Sequence, residues 1–222
     1  MGKLEVELLI FDLDGTLIDS KIDIANAVNH TLTSLNMPVL KHSFIFSYVG
    51  NGVIKLLEKV LANANKESDI KETLRIFLER YENHLLDNTI LFPNVMETLE
   101  YFSGINMSLI SNKPERFVKK IVKGLNIERF FPLVLGGDTL KTRKPEPEGI
   151  YKIMSAYKAN PRRTVIVGDG GVDIQTGKRV GIHTCGVSYG FRERKELIEA
   201  GADVIIDDIK DLKGSYYWKK GN

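Results

Sequence analysis

Leu8-Leu9-Ile10-Phe11-Asp12-Leu13-Asp14-Gly15-Thr16-Leu17 is the stretch on which the fold turns. Four large apolar residues in a row stop at a carboxylate, and a second carboxylate, a glycine and a hydroxyl follow. A short unbroken apolar run suits a strand buried on both faces, as in parallel sheets. Two more clusters have the same layout. Ser111-Asn112-Lys113 follows Ser108-Leu109-Ile110, and Gly168-Asp169-Gly170-Gly171-Val172-Asp173 follows Val165-Ile166-Val167. Only Arg143-Lys144-Pro145 follows a loop. If the runs are parallel strands of one sheet, all four clusters meet at the strands' carboxyl ends, where open α/β sheets bind ligands.

Working outward, strand-like runs fall at 8–11, 107–110, 133–135, 165–167, 183–187 and 204–206, with helical patterns between them. This alternation predicts an α/β fold: a doubly wound, mainly parallel, Rossmann-like sheet. Pro114 is placed as a helix-opening proline. Between Leu17 and Phe92 the rhythm breaks, and only helix patterns are found. Val53, Leu56, Leu57, Val60 and Leu61 mark one apolar face, and Ile70, Leu74, Phe77, Leu78, Tyr81 and Leu85 another. Ile24, Val28, Leu32 and Leu35 make a third, with Ser20 and Asp23 suited to a capping box. A simple crossover needs far fewer residues, so a helical subdomain inserted over 18–87 is expected, with 1–17 and 88–222 forming the core.

Composition sets bounds on the rest. Of 222 residues, 43% are hydrophobic and 27% charged, ordinary proportions for a globular chain. A net charge of +2 gives no case for a nucleic acid or an anionic membrane as partner. The paired cations Arg162-Arg163 and Lys219-Lys220 read as solvated surface. Cys185 is alone and lies in an apolar run, so a packed thiol is expected, in keeping with a reducing compartment. Glu5 and Glu7 interrupt the amino terminus, and 8–11 is too short to span a membrane; the expected location is the cytoplasm. The tail Tyr216-Tyr217-Trp218-Lys219-Lys220-Gly221-Asn222 either docks or frays.

The clusters themselves carry the chemistry. Asp12 and Asp14 are two apart and would share a face of a continuing strand. Close carboxylates raise each other's proton affinity unless a cation lies between them, which suits one ionised nucleophile and one proton donor. An EF-hand calcium loop is excluded, because Leu17 stands where that loop needs glycine. Asp169 and Asp173 are four apart, expected on the first turn of a helix. Magnesium prefers one or two carboxylates, a few waters and a phosphate oxygen, and Asp12, Asp14 and Asp169 could supply the protein part. Ser111 and Asn112 stand where a strand yields to a helix, a place suited to an anion or, for Asn112, to a plain N-cap. Lys144 precedes a proline and offers a point charge for phosphate.

Taken together, the four clusters resemble the haloacid dehalogenase superfamily over nearly the whole chain. The order is Asp12-x-Asp14-Gly-Thr, Ser111-Asn112, Lys144-Pro145, then Gly168-Asp169-x-x-x-Asp173. The resemblance implies that the inserted helices are a cap. It implies that Asp12 attacks phosphorus and that Asp14 protonates the leaving alkoxide and then deprotonates water. Magnesium would be held by Asp12, the Asp14 main-chain carbonyl and Asp169, with Asp173 in support. Ser111 and Lys144 would bind the phosphoryl group, with Thr16 and Asn112 beside it. Dehalogenases carry an apolar or aromatic residue where Asp14 stands, since a halide leaves unprotonated; Asp14 therefore implies a phosphatase or phosphomutase. The segment Val49-Gly50-Asn51-Gly52 ahead of a helix is similar to the substrate loop of phosphoglycolate phosphatases. Gly50, Asn51 and Gly52 would then meet a small carboxylate, and the substrate would be 2-phosphoglycolate. A sugar-phosphate mutase, a pyrophosphatase or a broad small-phosphate phosphatase would use the same chemistry. One departure from the pattern is Gly170, where many relatives carry Ser or Thr. A signalling receiver module also uses aspartate and magnesium, but it lacks the insertion and places its phospho-acceptor on a later strand.

Overall fold

A computed structural model describes residues 3–50, 52–63 and 69–218. The strands are β1 (Leu4–Glu5), β2 (Leu8–Phe11), β3 (Ile18–Asp19), β4 (Ile90–Leu91), β5 (Asn106–Ile110), β6 (Leu133–Leu135), β7 (Thr164–Gly168), β8 (His183–Val187), β9 (Val204–Ile206) and β10 (Tyr216–Tyr217). The helices are α1 (Lys21–Ser34), α2 (His42–Phe46), α3 (Val53–Asn63), α4 (Ile70–His84), α5 (Val95–Tyr101), α6 (Glu115–Gly124), α7 (Glu148–Tyr157), α8 (Gly171–Val180), α9 (Arg194–Glu199) and α10 (Leu212–Ser215).

Six strands form one parallel sheet in the order β6-β5-β2-β7-β8-β9. Numbered along the chain, that order is 3-2-1-4-5-6, and it reverses between β2 and β7. A doubly wound sheet opens its ligand crevice at that reversal. β2 and β7 are buried along their whole length, which is why their sequences are unbroken apolar runs. Alternate side chains supply separate cores. Leu9 and Phe11 pack with Phe117, Val118 and Ile121 of α6, while Leu8 and Ile10 pack with Ile150 and Ile153 of α7. Phe11 is in register with Leu109 on one side and Val167 on the other, so Asp12, Ser111 and Asp169 emerge at one edge.

The segment from α1 to α4 is helical, as its periodicity predicts. Leu56, Leu57, Val60 and Leu61 are the buried face of α3, and Phe77 and Tyr81 are buried on α4. Two expectations need correction. Strand pairing does occur between Leu17 and Phe92: β3 and β4 form a two-residue antiparallel ribbon where the chain leaves and returns. Pairs this short leave no periodicity to read. Ser20 and Asp23 also form no capping box. Ser20 makes no cap hydrogen bond, and Asp23 instead accepts from the backbone N–H groups of Asn88 (2.9 Å) and Thr89 (2.8 Å) and from the Thr89 hydroxyl (2.8 Å). A carboxylate that accepts from so many donors of the returning chain has no acceptor site left for its own helix. The tail docks on the core. β10 pairs with β1, Tyr216 is buried, and the Trp218 ring lies so close to Gly104 that a Cβ there would meet it at 2.1 Å. Lys219, Lys220, Gly221 and Asn222 lie outside the described residues. Cys185 is a packed thiol, pushed up to about 12 by burial.

Candidate active site

The chain leaves β2 after Phe11 and turns at once. The Asp12 N–H still reaches the Val167 carbonyl at 2.9 Å, but Leu13 O takes the N–H groups of Leu17 and Ile18. Gly15 makes the turn possible in two ways. Its φ is +86°, and a Cβ there would stand 2.2 Å from the Asp169 carboxylate. The turn brings Asp169 against Asp12 and sends Asp12 and Asp14 to different partners, not to the shared ones a continuing strand would give.

Asp12 belongs to a dense charged group. The Lys144 ammonium is 2.6 Å from Asp12 Oδ1 and 2.6 Å from Asp173 Oδ1. Asp12, Asp169 and Asp173 each offer an oxygen within 4.8 Å of the others, and all three are buried. Burial raises Asp12 to about 7 against the pull of Lys144, with Asp173 and Asp14 adding to the rise. Asp169 is pushed well up, first by burial and then by Asp12 and Asp173. Burial alone would lower Lys144, but Asp12 and Asp173 outweigh it and hold its ammonium above the ordinary lysine range. Three buried carboxylates around one lysine leave uncompensated negative charge. An all-oxygen set of this kind fits a small divalent cation, which would relieve both the burial cost and the repulsion.

Neighbouring loops fix these side chains. Asp169 accepts the Phe191 N–H at 2.7 Å, from the loop after β8. Asp173 accepts the Gly170 N–H at 3.2 Å at the start of α8. Asp169 lies ahead of that helix, whose first residue is Gly171, so only Asp173 sits on the first turn. Asn112 gives no N-cap; its Nδ2 donates to the Lys144 carbonyl at 3.2 Å, and its buried Oδ1 has no partner among the described residues. Pro114 takes the N-cap place of α6. The Thr16 hydroxyl is likewise buried without a partner, while its carbonyl accepts from Tyr189 at 2.7 Å. Ser111 is buried, and its hydroxyl accepts the Lys113 N–H at 3.2 Å.

Asp14 faces another set of partners. Its Oδ1 takes the Ser20 hydroxyl and, at 2.5 Å, the Lys113 ammonium. Lys113 also donates to the Tyr81 hydroxyl at 2.7 Å. The Asp14 side chain is thus tied to Ser20 and Lys113 and is not one of the three grouped carboxylates. A cavity of about 60 Å³ opens here, bordered by Asp12, Asp14, Ser111, Asn112, Gly50 and Gly52, with apolar walls from α1, α3, α4 and α6. Gly50 (φ +106°) and Gly52 (φ +90°) lie beside two arginines. A Cβ at Gly50 would meet Arg192 at 3.4 Å, and one at Gly52 would meet Arg143 at 3.1 Å. Asn51 lies outside the described residues.

Local sequence signals missed Lys113, Tyr81, Ser20 and Arg192. Lys113 stands inside the Ser111-Asn112-Lys113 cluster, and a lysine ending a strand-to-helix turn is a usable sign. Tyr81 follows the apolar face of α4, which hides the use of its hydroxyl. Arg192 belongs to no motif.

Comparison with known proteins agrees with this geometry. The family model for haloacid dehalogenase-like hydrolases matches residues 9–187. A phosphoglycolate phosphatase of Pseudomonas syringae pv. syringae is 36% identical over 219 residues, covering 95% of this chain and 79% of the relative. One from Colwellia psychrerythraea is 36% identical over 216 residues, covering 94% and 96%. The crystal structure of a predicted phosphoglycolate phosphatase from Haemophilus somnus 129pt superposes with a TM-score of 0.90 at 30% identity, covering 96% of this chain and 99% of that one. The chain belongs to the haloacid dehalogenase-like hydrolases.

Proposed function

We propose that this hydrolase is a magnesium-dependent phosphomonoesterase that converts 2-phosphoglycolate to glycolate and phosphate through an aspartyl-phosphate. The observation that carries the proposal is the split environment of Asp12 and Asp14 at the sheet's reversal point. Asp12 borders the cavity with a cationic lysine at its back, and Asp14 borders it with hydrogen-bonding partners that hold a transferable proton's carrier in place. The helices over 18–87 act as a cap on a core of 1–17 and 88–222, which suits their share of the cavity walls.

An Asp12 carboxylate oxygen forms a bond to phosphorus as the bond to the alkoxide breaks. Lys144 favours the ionised form of Asp12 against its burial and orients it, and the Ser111 and Thr16 hydroxyls, with the second Nδ2 proton of Asn112, would donate to phosphoryl oxygens. The alkoxide takes its proton from Asp14. Asp14 then removes a proton from water, which attacks phosphorus and frees Asp12. Asp12, the Asp14 carbonyl and Asp169 would hold the magnesium, with Asp173 in support. When bound, the ion neutralises charge on the phosphoryl oxygens and on the carboxylates. Gly50 and Gly52, which border the cavity, would meet the substrate's carboxylate end, and Asn51 between them in sequence is assigned to the same role.

The deciding experiment measures phosphate release with magnesium from 2-phosphoglycolate, glucose 1-phosphate, pyrophosphate and p-nitrophenyl phosphate. A kcat/KM for phosphoglycolate at least about tenfold above the others, roughly 1.4 kcal/mol of transition-state preference, supports the assignment. A flat profile removes phosphoglycolate and leaves the chemistry standing.

A further inference from the structure

A substrate carboxylate enclosed beside a phosphoryl group needs a partner of its own, because an unpaired charge out of water is costly. The walls of the cavity next to Asp14 are mostly apolar, including Ile24, Val49, Val53, Leu56 and Phe77. Among the described residues, Lys113 is the one lysine or arginine that lines it. Lys113 is held in place by Asp14 at 2.5 Å and Tyr81 at 2.7 Å. An ammonium has three donors, so one proton remains to offer. The Tyr81 hydroxyl accepts from Lys113 and keeps its own proton for donation. Its ring is fixed by stacking on Phe77, centroids 5.6 Å apart, and by an edge contact with Phe117 at 5.4 Å.

We propose that Lys113 and Tyr81 form the carboxylate subsite, with Lys113 as the residue that selects a substrate bearing a second anion. This rests on the phosphoglycolate assignment above. Lys113 comes from the core loop after β5 and Tyr81 from α4, so the subsite is complete only when cap and core are together. Other cations nearby are worse placed. Arg192 gives its donors to the carbonyls of Ser47 (2.7 Å) and Val49 (2.6 Å). Arg143 lies against Gly52 but does not line the cavity.

Lys113 also touches Asp14, so its loss slows every substrate, and a ratio is needed. Ethyl phosphate carries a methyl group where 2-phosphoglycolate carries the carboxylate. The ratio of their kcat/KM values isolates that one group. In the unmodified enzyme with magnesium the ratio is expected at about 100 or more, as for a site built around a polar group. Lys113→Met should bring it within about threefold of unity, and Tyr81→Phe should lower it about threefold to tenfold. Lys113→Arg should keep most of it. Should Lys113→Met not yield folded protein, Lys113→Gln is judged by the same ratio. A ratio that survives loss of the lysine overturns the subsite alone, as does a collapse in Arg143→Ala with Lys113→Met unaffected. A ratio near one in the unmodified enzyme overturns the phosphoglycolate assignment and the subsite with it.

Discussion

Asp12 and Asp14 stand two residues apart on one turn, yet they belong to different regions. Around Asp12 the partners are ionic: Lys144, Asp169 and Asp173, buried and drawn from the loops after β6 and β7 and from the first turn of α8. Around Asp14 a hydroxyl, a lysine and a phenol sit at the edge of apolar walls. In the first region charges crowd beyond what one lysine neutralises, which favours a cation and a phosphate. In the second, a few polar groups stand against a hydrophobic background, which favours choosing among leaving groups. Under the proposed function, one turn of chain would join a region that performs the reaction to one that decides what undergoes it.

Breaking the ionic region should have the largest effect. Asp12→Asn removes the nucleophile, so turnover should fall by at least about 10⁴-fold and no phosphoenzyme should form from labelled substrate. The fold should persist, because burial already disfavours a charge at this position. Residual turnover within about a hundredfold of the unmodified enzyme in clean protein would remove Asp12 from its role.

Breaking the other region should depend on the leaving group. Asp14→Asn cannot protonate an alkoxide, so ethyl phosphate should lose about 10²- to 10⁴-fold. Nitrophenolate hardly needs the proton, and p-nitrophenyl phosphate should lose far less. Equal losses for the two substrates would show that Asp14 acts on something other than the leaving group.

The contrast can be sharpened with metal and pH. Asp12 is raised from an ordinary 3.8 to about 7, and Asp169 is also raised. The folded, metal-free chain therefore binds these protons more tightly than the unfolded chain does. That contribution to stability is present at low pH and lost as pH rises from 3.8 towards about 7. A divalent cation replaces the protons, so magnesium should raise Tm more at about pH 7.5 than at about pH 5. An equal rise at both would place the metal away from these carboxylates. Asp14→Asn should leave the magnesium effect in place, since its side chain lies with Ser20 and Lys113.

The ionic region was largely legible in the sequence because each of its members follows a strand or a proline-marked loop, and parallel strands gather their ends. The order of those strands was not legible: nothing in the run of 183–187 says that it pairs with β7. Asp23 shows why the selecting region was harder to see. Ser20-x-x-Asp23 has the form of a local cap, but the partners of Asp23 are Asn88 and Thr89, 65 and 66 residues away. Tyr81 follows the spacing of a core residue, and it is one, with a hydroxyl that also reaches Lys113. Helical periodicity reports which side of a helix is buried and is silent about what a buried polar tip touches. The Phe191 N–H that holds Asp169 is a backbone group, invisible in any residue pattern.

Ser20 gives the smallest and most selective break. Its side chain is fully buried at the start of α1, yet it caps nothing there and donates to Asp14 instead. If this hydroxyl only supported the fold, Ser20→Ala would lower Tm and slow all substrates alike. If it orients the proton carrier, the loss should follow the leaving group. One charge-assisted hydrogen bond suggests about tenfold for ethyl phosphate and under about twofold for p-nitrophenyl phosphate. Lys113 still holds Asp14 in this variant, so the loss stays well short of that in Asp14→Asn. A uniform loss would assign Ser20 to packing and leave Lys113 as the partner that aims Asp14.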